Sequence, residues 1–349
     1  MSRILYGLSG DGFGHVSRSH EVAMHLRKQG HELLVLTYGR SLDVMRKDFT
    51  VIEVPGLHLN YQNNKVDFWK TFSDSAKILL KSTQRWRSII KQIRAFKPDL
   101  VISDFEPVSA GYAHLDKKPL ISFDNQHQLT NTSFTVPKKY TGDLRTGKLI
   151  VNSYVWGADY YFITTFFKTK ISQPHSFLFP PVVRSAVRRL KPKLGKHILV
   201  YQNSAFDYVL PELKKLAPQP FIVYGARDAV IKDGNLTLKP HNQENFTRDL
   251  RDCRGIIATA GLSLISEAIW LDKPYFAIPV AKTIEQTLNA LYLKKLGYGD
   301  YADIFTAAHG KKFLSKLAFY RKNLQKQPKE GTARLLKKFD AAIASLTAN

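Results

Sequence analysis

The sequence predicts an α/β protein of two successive Rossmann-like domains facing each other, each a parallel sheet covered by helices on both faces. Three observations carry this expectation. Continuous apolar runs alternate with helical stretches through the first half, as strands buried on both faces require. A junction with Pro174, Pro180 and Pro181, then the basic segment RSAVRRLKPKLGK with Pro192 and Gly195, interrupts the alternation and reads as a linker. The alternation restarts at His197. A chain of 349 residues is long for one core and comfortable for two.

In order, Arg3 to Tyr6 reads as a strand, followed by a glycine loop and a helix from Ser17 to Gln29. His31 to Gly39 and Val51 to Val54 are the next strands, and a long helical region follows within 65–97. Pro98 to Pro107 is a continuous apolar strand that ends in acids, and Lys118 to Asn125 repeats that plan. Leu149 to Phe167 is broken by Asn152, Ser153, Gly157 and Asp159, so it reads as a helix and a buried strand rather than a membrane span. In the second half His197 to Asn203, Phe221 to Gly225, Leu236 to Lys239, Gly255 to Thr259 and Tyr275 to Ile278 read as strands. From Gly310 onward the chain is helical and lysine-rich. The expected domains are 1–183 and 184–325, with a terminal helix in 326–349 packing back on the first.

Composition narrows the function classes. The 44% hydrophobic and 23% charged residues are those of an ordinary globular protein. With 52 Lys+Arg against 29 Asp+Glu the net charge is +23, a field that draws nucleotides, nucleic acid or an acidic membrane leaflet. No helix-turn-helix, zinc spacing or RNP-type motif is present, so specific nucleic-acid binding is not expected. Basic residues, tryptophans and aliphatics at helical spacing in 65–97 fit either an anionic membrane surface or a solvated helix face over a core. The single cysteine, Cys253, forms no internal disulfide and precedes a buried strand, which favours packing over a thiol reaction. The amino terminus lacks a signal-peptide pattern. The expected location is the cytoplasm, with peripheral contact at the inner face of the plasma membrane.

Residues 256–290, IIATAGLSLISEAIWLDKPYFAIPVAKTIEQTLNA, are the most informative stretch. A strand stops at the small turn Ala260-Gly261, and a helix opens that carries Glu267 about two turns in. A second strand ends at Pro279, and a loop leads to Glu285-Gln286 and Asn289-Ala290. A helix N-terminus offers unpaired N–H groups and partial positive charge to a diphosphate. A carboxylate along the helix can accept from both ribose hydroxyls, and the Glu-Gln pair can read sugar hydroxyls. An ordinary βαβ unit whose glycine only permits a tight turn is the alternative.

Gly10, Gly12 and Gly14 follow the first strand, with His15 immediately after them. The spacing G-x-G-x-G-H departs from the dinucleotide fingerprint, and no acid ends the second strand; Arg40 keeps an NADP-dependent oxidoreductase open. A neutral imidazole beside glycines can take a proton from an acceptor hydroxyl. Such a base needs an orienting carboxylate, and Asp104 ends a later parallel strand on the same sheet edge. The structural alternatives are backbone contact near a helix start for His15 and capping of the helix after Pro107 for Asp104.

Together these residues resemble the GT-B glycosyltransferases over nearly the whole chain. The run GLSLISEAIWLDKPYFAIPVAKTIEQTLNA resembles the donor-site signature of the lipid-II-forming GlcNAc transferase and the UDP-glycosyltransferases. Gly10, Gly12, Gly14, His15 and Arg18, with SDFEP and FDNQH, are similar to a little-characterised group of prokaryotic glycosyltransferases. The resemblance implies that His15 is the base and Asp104 its orienting acid. It implies that Gly261 and Ser263 bind diphosphate, Glu267 ribose, and Glu285, Gln286 and Asn289 the donor sugar region. Gly12, Gly14 and Arg18 belong to the substrate-binding loop, Gln202-Asn203-Ser204 after the first strand of the second domain add phosphate contacts, and Phe246 packs near the nucleotide base. Thr259-Ala260-Gly261 stands where eukaryotic members have His-Gly-Gly, so a histidine contact to phosphate is absent, and Glu285 replaces an Asp. Asp104-Phe105-Glu106 is also similar to the acid-x-acid metal signature of the other major glycosyltransferase fold, but the nucleotide signature lies in the second half here.

The implied reaction is inverting, metal-independent transfer from a UDP-sugar to a hydroxyl acceptor, by a hexosyltransferase-type enzyme with no cofactor beyond its donor. Charge favours a lipid-linked or cell-envelope glycan acceptor. A UDP-sugar 2-epimerase of the same fold and a non-catalytic nucleotide- or polyanion-binding protein remain the competing readings.

Overall fold

The computed structural model describes residues 1–10, 13–56, 61–62, 65–66, 83–202, 207–240, 242–329 and 331–348. The chain forms two compact units. The first comprises Met1–Tyr61, Val66–Val182 and Gly331–Asn349; the second comprises Gln62–Lys65 and Val183–Glu330.

The first unit is a seven-stranded sheet: β1 (Arg3–Leu8), β2 (Glu32–Thr37), β3 (Thr50–Glu53), β4 (Leu100–Asp104), β5 (Leu120–Asp124), β6 (Tyr160–Thr164) and β7 (Ser176–Phe179). Their spatial order is β7-β6-β5-β4-β1-β2-β3, with every pair parallel. The order reverses between β1 and β4, which creates a crevice beyond their carboxyl ends, where open α/β sheets bind ligands. Strand alternation sends successive side chains to opposite faces. Ile4, Tyr6 and Leu8 join one core with Ile102 and Phe162, under helix Phe13–Lys28; Leu5 and Val101 join the core on the other face, with Ile89 and Ile93 of helix Thr83–Phe96. Gly7 admits helix Pro107–Leu115 to the sheet, since a β-carbon there would lie 2.0 Å from Ser109 Oγ.

The last helix, Ala333–Leu346, belongs to the first unit. Leu335, Phe339, Ala342 and Ile343 recur at helical spacing and bury against that core. The Phe339 ring meets Phe123 and Phe162 edge-on at centroid separations of 5.2 and 4.7 Å.

The second unit repeats the plan with β8 (Ile198–Tyr201), β9 (Phe221–Tyr224), β10 (Ile231–Asp233), β11 (Leu236–Lys239), β12 (Gly255–Ala258), β13 (Tyr275–Ala277) and β14 (Gly299–Tyr301). The order is β10-β11-β9-β8-β12-β13-β14, parallel except for β10. Its reversal falls between β8 and β12. Gly225 has φ +86° and passes so close to β8 that a β-carbon would lie 1.8 Å from the Gln202 carbonyl oxygen.

Three strands carry no sequence signal of their own. β7 lies between prolines at an edge, β10 is exposed and three residues long, and β14 opens on glycine. Helix Phe13–Lys28 starts four residues before the expected Ser17. The basic aromatic stretch in 65–97 is described only at 65–66 and from residue 83 onward; the rest lies outside the described residues. Among the described residues no helix is long and apolar enough to cross a membrane.

Candidate active site

His15 and Arg18 lie on the first turns of the helix after β1, and Asp104 is the last residue of β4, so the reversal of strand order brings them together. Asp104 is wholly buried and accepts from His15 Nδ1 at 2.8 Å, Arg18 Nε at 2.8 Å and Ser19 Oγ at 2.6 Å. Arg18 Nη2 also bonds Asp104 Oδ1, completing a bidentate pair. Burial alone raises the Asp104 pKa, but the Arg18 charge and the His15 contact outweigh it and hold the carboxyl at about 2. The carboxylate is therefore ionised throughout the neutral range.

That anion fixes the histidine tautomer. A ring nitrogen 2.8 Å from a carboxylate must carry the hydrogen, so Nδ1–H donates to Asp104 and in the neutral ring the lone pair lies on Nε2. Arg18 Nη2 lies 2.9 Å from Nδ1 because both groups converge on Oδ1. Gln126 Nε2 approaches His15 Nε2 at 3.5 Å, the outer limit of a hydrogen bond. The His15 side chain keeps 13% of its surface accessible beside a carboxylate with none. Gly14 precedes it, half-buried; Gly12 lies outside the described residues.

Glu106, not Asp104, caps helix Pro107–Leu115, accepting from Val108 N at 2.9 Å and Ser109 N at 2.7 Å. Burial raises its pKa to about 7, with the backbone N–H bonds opposing. The two acids of the SDFE segment thus face different partners, and no group of three metal-ligating side chains occurs among the described residues. Phe105 between them has φ +53°, which turns the chain so that its ring stacks 6.4 Å from His15.

The FDNQH segment supports the same centre. Asn125 Oδ1 accepts from Arg18 Nη1 at 2.7 Å. Asp124 accepts from His127 Nδ1 at 2.7 Å and His127 N at 2.9 Å, while His127 Nε2 donates to the Val155 carbonyl at 3.0 Å. Burial raises the Asp124 pKa, but the His127 charge and bonds prevail and leave it lowered. This buried pair anchors the loop that places Asn125 and Gln126.

In the second unit, Gly261 is the N-cap of helix Leu262–Trp270 and has no side-chain cap bond. A β-carbon at Gly261 would meet nothing within 4 Å, so the first turn opens onto free space. Ser263 lies in that turn. Asn289 Nδ2 donates to the Ala260 carbonyl at 3.0 Å and fixes the turn, while its Oδ1 is buried with no partner among the described residues. Gln202, at the carboxyl end of β8, is 6% exposed, and neither of its side-chain polar atoms has a partner among the described residues. Buried amides without partners are costly and mark places where a ligand or water completes the bonding.

Glu267 is 4% exposed and is gripped by Arg184, with Nε 2.5 Å from Oε1 and Nη2 2.9 Å from Oε2. Four lone-pair directions on a carboxylate leave acceptor capacity beyond these two bonds. Gln286 Oε1 accepts from Val280 N at 3.1 Å, tying the loop after β13 to helix Ile284–Lys295. Glu285 is half-buried in that helix's first turn. Phe246 packs edge-on against Tyr201 and Tyr224 at 5.4 and 5.3 Å and is 8% exposed. Asn203 and Ser204 lie outside the described residues. Cys253 is buried against the Leu250 carbonyl with its thiol pKa raised by burial to about 12, so it packs and does not react.

Sequence reasoning missed Arg184, Ser19, Asn125 and Gln126. Arg184 is one of several arginines in a basic segment, and nothing in its spacing distinguishes it. Asn125 and Gln126 stood in a quoted motif, yet only the fold brings them to a residue about 110 positions away.

A family model described as Glycosyl transferase family 1 matches residues 2–318. An uncharacterized glycosyltransferase of Methanosarcina acetivorans is 26% identical over 325 residues, covering 85% of this chain and 84% of that protein. UGT2 of Phytolacca americana, in complex with UDP-2-fluoro-glucose and pterostilbene, superposes with a TM-score of 0.67 at 13% identity, covering 99% of this chain and 98% of that one. The Streptomyces glycosyltransferase SsfS6, in complex with thymidine diphosphate, gives a TM-score of 0.63 at 12% identity, with 98% of this chain and 100% of that chain covered. At such identities the structural likeness speaks for the fold, which is GT-B.

Proposed function

The chain belongs to glycosyl transferase family 1 and is a glycosyltransferase of GT-B fold, and from that premise we propose inverting transfer from a UDP-sugar to a hydroxyl acceptor with His15 as the base. The observation that carries this reading is the His15–Asp104 contact at the reversal point of the first sheet, which leaves Nε2 with a lone pair. An acceptor hydroxyl bonded to Nε2 loses its proton to the ring as its oxygen attacks the anomeric carbon. The C1–O bond to the diphosphate breaks, its electron pair leaves with the phosphate oxygen, and configuration at C1 inverts. Asp104 stays ionised and offsets the imidazolium charge as it forms. Arg18 and Ser19 hold the acid in place, and Asn125 holds Arg18.

The donor reading rests on the second unit. The open first turn at Gly261 and Ser263 offers N–H groups to a diphosphate whose charge grows as the bond breaks. The Gln202 amide, without a partner among the described residues, supports added contacts there, with Ser204 two residues on. Glu267 is assigned the ribose, using acceptor positions that Arg184 leaves over. Gln286, held by Val280 N, reads sugar hydroxyls with Glu285 beside it, Asn289 braces the Ala260-Gly261 turn, and Phe246 contributes the apolar ground near the base. Metal independence is favoured because Asp104 and Glu106 are each committed, one to Arg18 and His15, the other to a helix cap. A lipid-linked or cell-envelope glycan acceptor, reached by peripheral association at the inner membrane face, is favoured by the net charge of +23.

The test is to incubate the full chain with α-linked UDP-sugars and a panel of hydroxyl acceptors and to read the product anomer by NMR. A β-linked product is expected. An α-linked product would remove the single-base mechanism, and a sugar isomer formed without acceptor would assign the site to epimerisation.

A further inference from the structure

Beside β7, at the edge of the first sheet, lies a groove of about 510 Å³ that the transfer reading does not use. Ile171, Phe177, Leu178 and Phe179 line its floor, and Ile171 is 40% exposed. The wall is the terminal helix, whose Arg334, Lys337, Lys338 and Ala341 follow at i, i+3, i+4 and i+7 and so share one face. That face is turned away from the residues the helix buries. The cations fold over the aromatic floor: Lys338 Nζ stands 4.2 Å from the Phe177 ring centre, and the Arg334 guanidinium 5.5 Å from that of Phe179.

An apolar floor under a row of cations suits a ligand that is hydrocarbon on one side and anionic on the other. Strand addition by a peptide is disfavoured, because β7 has four residues between Pro174 and Pro180 and Arg334 Nη2 already bonds the Leu178 carbonyl at 3.0 Å. We propose that this groove docks the first unit on the surface of an anionic phospholipid bilayer, with acyl chain against Ile171 and Phe177 and headgroup phosphates against Arg334, Lys337 and Lys338. The docking site rests on the peripheral membrane association proposed above and does not require the donor or base assignments.

The experiment is co-sedimentation of the full chain with phosphatidylcholine vesicles, with and without phosphatidylglycerol. Preference for the anionic vesicles is expected. At about fivefold per lysine near an anionic surface, Lys337→Ala/Lys338→Ala should lower partition about 30-fold. Lys311→Ala/Lys322→Ala removes the same charge from exposed positions of the second unit and should stay within about threefold of wild type. Ile171→Ser, which changes no charge, should cost about tenfold through the lost apolar contact. Equal losses in the two lysine pairs, full binding by Ile171→Ser, or no preference between vesicle types would each overturn the proposal.

Discussion

Replacing Asp104 by Asn separates what the buried carboxylate does for the fold from what it does for the reaction. The amide is nearly isosteric, but it has one acceptor oxygen where the carboxylate serves His15, Arg18 and Ser19 through two. Whichever way it turns, its NH₂ faces a donor. Arg18, 5% exposed, then loses the carboxylate it pairs with. Breaking a buried pair from one side costs about 3–5 kcal/mol. For a unit of this size that lowers the melting transition by about 10 °C. The reaction suffers separately, since the ring loses the anion that fixes its tautomer and offsets its positive charge, and turnover should fall by at least about 100-fold. Differential scanning calorimetry gives the first quantity. Transfer rates measured well below the lowered transition, at saturating donor, give the second. A variant that melts within about 2 °C of wild type, or that turns over within threefold of it, would refute the corresponding half of the reasoning.

Two further outcomes follow from particular contacts. Glu267→Ala should weaken UDP binding by about 10–100-fold, the worth of hydrogen bonds to a charged group, and unchanged affinity in titration calorimetry would contradict the ribose assignment. Glu106 has a folded pKa raised from 4.5 to about 7, so the folded state binds the extra proton between those values. Its contribution to stability is present below pH 4.5 and is lost as pH rises through 7, by about 3 kcal/mol. Glu106→Gln should flatten that part of the stability–pH curve in denaturant titrations; a curve parallel to wild type would place the slope elsewhere.

The two parallel sheets were legible because parallel strands buried on both faces must be continuously apolar, and LVISD, LISFD and GIIA show this outright. β7, β10 and β14 were not: β10 is exposed along its length, and β7 and β14 are edge strands of four and three residues, too short to show an apolar run. At the site, His15 stood out because glycines precede it, and Asp104 because it ends an apolar strand. The proximity of the two follows from strand order, which local sequence does not encode. Arg184 shows the limit of motif reading. Its bond to Glu267 spans 83 positions, and nothing near it hints at a partner. The cap on helix Pro107–Leu115 shows a subtler limit, because two acids a residue apart could each have served. The positive φ at Phe105 decides between them by turning Glu106 to the helix and leaving Asp104 toward Arg18.

The most direct measurement of the central claim is the transfer rate of His15→Ala against wild type, paired with UDP affinity. The substitution leaves Arg18 and Ser19 bonded to Asp104, so loss of the ring costs stability only about 1 kcal/mol. The account predicts turnover lowered by about 100-fold or more with UDP binding unchanged. Turnover near that of wild type would contradict it.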